Sequence, residues 1–369
     1  MKLFKLKPVI SSFDNFEEFA KEFNLTKTDL VITNEFLYDP YMSKYNLECN
    51  FIMQESYGLG EPSDEIIDSI LKDIKNFNYN RIIAIGGGTV IDIAKILSIK
   101  VINKVEEIFE NNFQIKDTTP LVIIPTTCGT GSEVTNVAIT ELKQKHTKIG
   151  ISNDAILPQD AVFIPELLKG LPYKFYLCSA IDALIHATES YVSPNANIYT
   201  RIFSVKAIEI IIDVFKKLVE KGPDFRFTCF EEMLIASNFA GIAFGNAGVG
   251  AVHALSYPMG ANYHIPHGES NYLFFTKIFE IYNQKDPNGS IKEINNLYSK
   301  LLGTNEPFKE LDNLLSKLIE KKRLNEYGMK ESEIKEFSIS VIEKQQRLLK
   351  NNYVYLSQEE IENIYQQLY

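Results

Sequence analysis

Four residues could together hold a divalent cation. Asp182 and His186 are four apart, so on a helix their side chains lie one above the other on one face. His253 and His267 would join them from a second helix and from the loop after it. One carboxylate and three imidazoles suit Fe(II), and they suit Zn(II) as well. The chain has only five histidines, and four of them fall within this stretch. As a surface pair, Asp182 and His186 would need no metal. Yet Ile181, Ala183, Leu184, Ile185 and Ala187 surround them, and a charge turned into such an apolar setting needs a partner. Gly248 and Gly250 precede His253, and Gly268 follows His267; small residues here permit close approach. His146, in a Lys-rich turn, is given no role, and His264 reads as an ordinary polar loop residue.

A second kind of chemistry sits earlier in the chain. Gly86, Gly87, Gly88 and Thr89 follow the apolar run 81–85 and open directly into an apolar helical stretch. Without Cβ atoms a backbone can approach a phosphate, and the helix start offers unpaired N–H groups and a positive dipole end. The sequence is neither GxGxxG nor a Walker loop, and a tight strand–helix turn without a ligand would use the same residues. The loop after residues 121–124 adds four hydroxyls, Thr126, Thr127, Thr130 and Ser132, around Gly129 and Gly131. Such a place, just past a strand's carboxyl end, is where open α/β sheets bind ligands.

These loops need a sheet to present them. Apolar runs at 30–33, 50–54, 81–85, 121–124 and 161–164 read as strands, with a helix from Ser63 to about Phe77 and another after Gly88. The alternation predicts an α/β domain over 1–170 with a mostly parallel sheet. Short runs at 134–140 and 148–152 suggest a hairpin, with Lys148 on its return leg. From Pro172 the alternation stops, and residues 171–369 read as an all-α domain. Helical spacing covers 174–191, 198–220, 229–244, 248–259, 271–282, 310–320, 331–348 and 357–368. Ser357 with Glu360 fits a capping box at the last of these.

Bulk properties narrow the partners. A net charge of −10 argues against nucleic acid, which asks for a concentrated basic surface. No apolar run approaches the roughly 20 residues of a membrane span. The first residues lack the apolar core of a signal peptide. Cys49, Cys128, Cys178 and Cys229 form no CxxC pair, so zinc ribbons and thioredoxin chemistry are unsupported, and a reducing, cytoplasmic setting is expected.

Four segments together are recognisable: GGGTVIDIAK at 86–95, PTTCGTGSEVT at 125–135, DALIHATESYVS at 182–193 and VHALSYPMGANYHIPHG at 252–268. In order and spacing, over nearly the full chain, they resemble the iron-containing, group III alcohol dehydrogenases. A narrower likeness, to the 4-hydroxybutyrate dehydrogenases of anaerobic bacteria, is carried by the N-terminal run and by residues 31–42 and 57–67. The resemblance implies a dinucleotide-binding α/β domain, a helical domain and a cleft between them, in the architecture shared with dehydroquinate synthase. It implies metal ligation by Asp182, His186, His253 and His267. It implies NAD contacts at Gly86, Gly87, Gly88, Thr89, Asp92, Thr126, Thr127, Thr130 and Lys148, and a homodimer. The expected reaction is metal-dependent hydride transfer between NAD(H) and a short primary alcohol or aldehyde, 4-hydroxybutyrate and succinate semialdehyde foremost. The alternative is a general primary-alcohol, diol or glycerol dehydrogenase.

Two positions depart from the family pattern. Tyr257 stands where many members carry a histidine four residues after the one matched by His253, so it either donates a hydrogen bond to substrate or shapes the pocket. Asn34 stands where NAD-preferring members often have Asp. Asn34 can bond a ribose hydroxyl but cannot repel a 2′-phosphate, though Glu35 follows it. NAD(H) is the expected cofactor. A substrate carboxylate would need a cationic contact, with Arg201 and Arg347 as candidates.

Overall fold

The computed structural model describes residues 3–100, 102–109, 113–145 and 147–369. His146 lies outside them. The chain divides into two compact units, Leu6–Leu171 and Pro172–Tyr369, the latter joined by residues 3–5.

In the first unit the strands are β1 (Val9–Ser12), β2 (Asp29–Thr33), β3 (Asn50–Met53), β4 (Arg81–Gly86), β5 (Leu121–Pro125), β6 (Val137–Leu142), β7 (Thr147–Ser152) and β8 (Asp160–Phe163). Six of them form one sheet in the order β1-β8-β5-β4-β2-β3, with every pairing parallel. Helices α1 (Phe16–Glu22), α2 (Glu35–Tyr41), α3 (Asp64–Ile74) and α4 (Gly88–Leu97) connect them. The central strands β2, β4 and β5 are apolar on both faces, as a covered parallel sheet requires. Leu30, Ile32, Ile82 and Ile123 pack to one side with α3 and α4, and Val31, Ile83, Val122 and Ile124 to the other with Phe16 and Phe19. Ser63 caps α3 as expected, its Oγ accepting from the Ile66 N–H at 3.3 Å.

The expected strand at 161–164 is β8, and it lies inside the sheet. β1 lies outside β8, in register Val9 with Asp160. Its Val9 and Ile10 are exposed, so no buried alternation announces it. β6 and β7 form a separate antiparallel hairpin. Two side chains of α4, Asp92 and Lys95, hold the start of that hairpin. Lys95 is fully buried, and its Nζ donates to Ser132 Oγ at 2.8 Å, Thr135 Oγ1 at 3.1 Å and the Val137 carbonyl at 2.8 Å. Burial pulls the Lys95 amine down to about 8, although Asp92 and Glu133 oppose the shift.

The second unit is helical: α5 (Tyr173–Val192), α6 (Ile198–Lys221), α7 (Phe230–Ala247), α8 (Ala251–Tyr263), α9 (His267–Lys285), α10 (Gly289–Leu302), α11 (Pro307–Ser316), α12 (Glu333–Lys344), α13 (Gln346–Leu349) and α14 (Gln358–Leu368). The predicted capping box closes α14: Ser357 Oγ accepts from the Glu360 N–H at 3.2 Å, and the Glu360 carboxylate accepts from the Ser357 N–H at 2.7 Å. α10 is absent from the sequence expectation. Asn288-Gly289 reads as a break, and only Ile291, Ile294 and Tyr298 of α10 are buried. α8 starts three residues later than expected, because Gly248, in the left-handed region at φ +80°, ends α7. Among the described residues no single helix is long and apolar enough to cross a membrane.

Candidate metal centre

α5 is buried nearly all round, and Asp182 and His186 point into the interior from it. α8 brings His253. The expectation for His267 needs correction: it is not in a loop but is the first residue of α9, entered through Pro266. Proline fits just before a helix, where its missing N–H costs nothing. Gly268 then lets α9 come against α5, since a Cβ there would fall 1.9 Å from the Cys178 carbonyl oxygen.

Asp182, His186 and His253 each offer a donor atom, and these atoms lie within 4.8 Å of one another. His186 Nδ1 lies 3.8 Å from Asp182 Oδ2, and His253 Nε2 lies 3.7 Å from Asp182 Oδ1. His267 stands outside that tight trio, with Nε2 3.8 Å from Asp182 Oδ1, and its side chain is 41% exposed. These gaps are too long for hydrogen bonds. They suit donors sharing one cation, whose bonds of about 2.0–2.2 Å place neighbouring ligand atoms roughly 3–4 Å apart. One atom makes the point directly. His253 Nε2 is buried and has no hydrogen-bond partner. An orphaned buried ring nitrogen beside a buried carboxylate fits a metal ligand.

Electrostatics agree with this donor set. Burial pushes the Asp182 carboxyl up, but His186, His267 and His253 outweigh it and hold Asp182 far below the usual carboxylate range. Burial pulls His253 down, while Asp182 and Glu189 raise it to about 9. Sequence reasoning missed the residues behind the donors. Glu189 Oε2 lies 2.6 Å from His253 Nδ1. Asn271 donates to Asp182 Oδ1 at 2.7 Å and sits 3.2 Å from His267 Nε2. The His186 ring stacks on Phe244 at 4.3 Å. Glu189 follows His186 by three and Asn271 follows His267 by four, a helical spacing that could have flagged both.

In the α/β unit, the two predicted loops lie face to face. Cβ atoms on Gly87 and Gly88 would come within 3.3 Å of Thr127 Cγ2 and 3.1 Å of Thr130 Cγ2. Thr126 donates its N–H to the Gly86 carbonyl at 3.0 Å, and Thr89 Oγ1 donates to the Gly60 carbonyl at 3.2 Å. Asp92 is held within the protein, accepting from Ser132 Oγ at 3.1 Å and from the Ile139 N–H at 3.0 Å. Lys148 pairs with Glu61. Asn34, at the end of β2, donates to Glu55 Oε2 at 2.8 Å, and the Glu35 N–H donates to Glu55 Oε1 at 2.6 Å. A carboxylate from just beyond β3 thus lies beside Asn34.

Comparison with known proteins gives the family. The family model for iron-containing alcohol dehydrogenases matches residues 9–165, and the model for the C-terminal part of that family matches 177–369. The chain belongs to the iron-containing alcohol dehydrogenase family. It is an oxidoreductase by that membership. A family member from Clostridium kluyveri, 4-hydroxybutyrate dehydrogenase, is 57% identical over the whole of both chains. Long-chain-alcohol dehydrogenase 1 of Geobacillus thermodenitrificans is 30% identical, over 83% of this chain and 79% of its own. Among solved structures, sulfoacetaldehyde reductase from Bifidobacterium kashiwanohense in complex with NAD+ superposes with a TM-score of 0.85 at 21% identity, covering 99% of this chain and 98% of its own. A 1,3-propanediol oxidoreductase does so at the same score and identity over all of both chains. At such identity these two structures speak for the fold.

The remaining candidate residues have clear places. Tyr257, half-buried on α8, puts its ring 6.0 Å from that of His267. Arg201 is committed elsewhere, bonding Glu293 at 2.9 Å and stacking on Tyr191 at 4.9 Å. Arg347 is exposed on α13. His264 closes α8 in the left-handed conformation, at φ 53°.

Proposed function

We propose that this chain is an NAD(H)-dependent, Fe(II)-containing 4-hydroxybutyrate dehydrogenase, interconverting 4-hydroxybutyrate and succinate semialdehyde. The observation that carries the substrate is the 57% identity, end to end, to the C. kluyveri enzyme of that name. When bound, the cation supplies Lewis acidity toward the alcohol or aldehyde oxygen, and the nicotinamide supplies or takes the hydride. Asp182, His186, His253 and His267 would hold the metal. Asn271 orients Asp182 through its amide, and Phe244 fixes the plane of His186. His267, the most exposed of the four, marks the side open to substrate. Tyr257 shapes that side.

The nucleotide would lie on the backbone N–H groups after Gly86, flanked by Thr126, Thr127 and Thr130, with Lys148 and Asp92 behind. Glu55 favours NAD(H) over NADP(H): a carboxylate held at the end of β2 accepts a ribose hydroxyl and repels a 2′-phosphate. We place the enzyme in the cytoplasm as a homodimer. Its cysteines, none of them in a disulfide among the described residues, accord with a reducing compartment.

The test is a substrate panel read through NADH absorbance, on protein purified without oxygen and assayed for bound iron and zinc. Succinate semialdehyde should exceed butanal in kcat/KM by at least about tenfold, or about 1.4 kcal/mol. Equal values would make the chain a general primary-alcohol, diol or glycerol dehydrogenase. Zinc as the resident metal would refute the Fe(II) assignment.

A further inference from the structure

Glu189 is only 2% exposed and is not among the cation's own donors. A carboxylate so placed needs a strong reason. Its two oxygens have different partners on the same short segment. Oε1 accepts the Val252 N–H at 2.8 Å, and Oε2 faces His253 Nδ1 at 2.6 Å. The preceding N–H, of Ala251, is taken by Asn352 Oδ1 at 2.7 Å. Asn352 in turn is held by Tyr282, whose hydroxyl donates to the same oxygen at 2.6 Å. The start of α8 has no local side-chain cap, so its first N–H groups are satisfied by residues distant in sequence.

We propose that Glu189 is a positioning residue that selects which nitrogen of His253 faces the metal. Both of its oxygens must accept. The Val252 N–H can only donate, so Oε1 is fixed as acceptor. Oε2 then draws a proton to Nδ1, which leaves the Nε2 lone pair toward Asp182. That is the buried nitrogen found without a partner. Histidine ligands in metal sites commonly use a carboxylate in this way. Glutamine at this position could not serve both partners. With its oxygen on the Val252 N–H, its NH2 would meet Nδ1, drive the proton to Nε2 and block the ligand atom. Turned over, its NH2 would confront the Val252 N–H. Asn352 differs: it caps the helix and touches no ring nitrogen of His253, so it separates docking of α8 from choice of tautomer.

This inference rests on the metal-site reading, and the experiment separates the two. Metal-free wild type, E189Q, N352A and H253A are titrated with Co2+ against a competing chelator, with the visible cobalt spectrum and the metal-free melting curve recorded for each. H253A should lose Co2+ binding. E189Q should bind it about 10–100-fold more weakly and with an altered spectrum, while N352A stays within about threefold of wild type. If wild type and H253A bind alike, the metal reading falls and this inference with it. If H253A loses Co2+ but E189Q stays within about threefold of wild type, the role of Glu189 alone is overturned. Equal losses in E189Q and N352A would also overturn it, placing the effect in helix docking. If E189Q melts too early to titrate, the imidazole nitrogen spectrum of Zn2+-loaded wild type decides. A proton on Nδ1 of His253 supports the proposal, and a proton on Nε2 refutes it.

Discussion

The two units of this enzyme build their sites from opposite materials. In the helical unit the chemistry is in side chains: Asp182, His186 and His253 converge, and a ring nitrogen is left buried without a partner. In the α/β unit three charged side chains near the loops are already engaged. Asp92 accepts from Ser132 and Ile139, Lys95 donates to Ser132, Thr135 and Val137, and Lys148 pairs with Glu61. What remains there for a nucleotide is backbone and hydroxyl, presented by two loops pressed together at Gly87 and Gly88. A small, doubly charged cation needs dense charge brought close, whereas a long dinucleotide is gripped by many weak contacts on a rigid frame. The difference teaches where single substitutions should hurt: sharply at the metal, diffusely at the nucleotide.

The largest expected effect is at the metal. H253A should lower kcat/KM at least about a thousandfold, roughly 4 kcal/mol, with loss of bound metal by elemental analysis. Retained turnover without metal would erase the contrast between the sites.

Lys95 tests the frame of the other unit. K95M leaves Ser132 Oγ, Thr135 Oγ1 and the Val137 carbonyl without their donor and should cost ~2–4 kcal/mol in denaturant unfolding. The wild type should also show a pH signature. Folding lowers the Lys95 pKa from 10.5 to about 8, so between these values the unfolded chain binds more protons and stability contributed by this group rises with pH. That gain is complete above about 10.5 and is lost as pH falls through about 8. K95M should lack the slope. A parallel loss of Co2+ affinity in K95M would break the separation drawn between the units.

A smaller effect is expected at Glu55. E55Q removes the charge and leaves one acceptor oxygen where Asn34 and the Glu35 N–H use two, so the ratio of NAD+ to NADP+ affinity should fall about tenfold in direct binding titrations. An unchanged ratio would move cofactor selection to another residue. The smallest effect belongs to Tyr257. If it shapes the pocket, Y257F should stay within about threefold of wild type in kcat and KM; a drop of about a hundredfold in kcat alone would make its hydroxyl a donor in the reaction.

How much was legible in the chain differed in the same way. Asp182 and His186 declare themselves because a helix repeats about every 3.6 residues and their apolar neighbours predict burial. The glycine loops declare themselves because few other residues allow such close approach. β1 and α10 do not, since an exposed edge strand and a helix with a thin buried face carry little periodic apolar signal. His267 was read one element short, as loop, because Pro266 marks a helix start as readily as a break.

By itself, then, the order of residues determined the fold class, the donor types and the place of the two glycine loops, because these follow from local spacing and side-chain chemistry. Tertiary structure alone decided that Glu189 stands behind His253, that Glu55 supplies the acid beside Asn34, and that Asp92 and Lys95 brace a hairpin. Those pairings join residues from about 20 to more than 60 positions apart, and only packing sets which of many available partners a buried polar group meets.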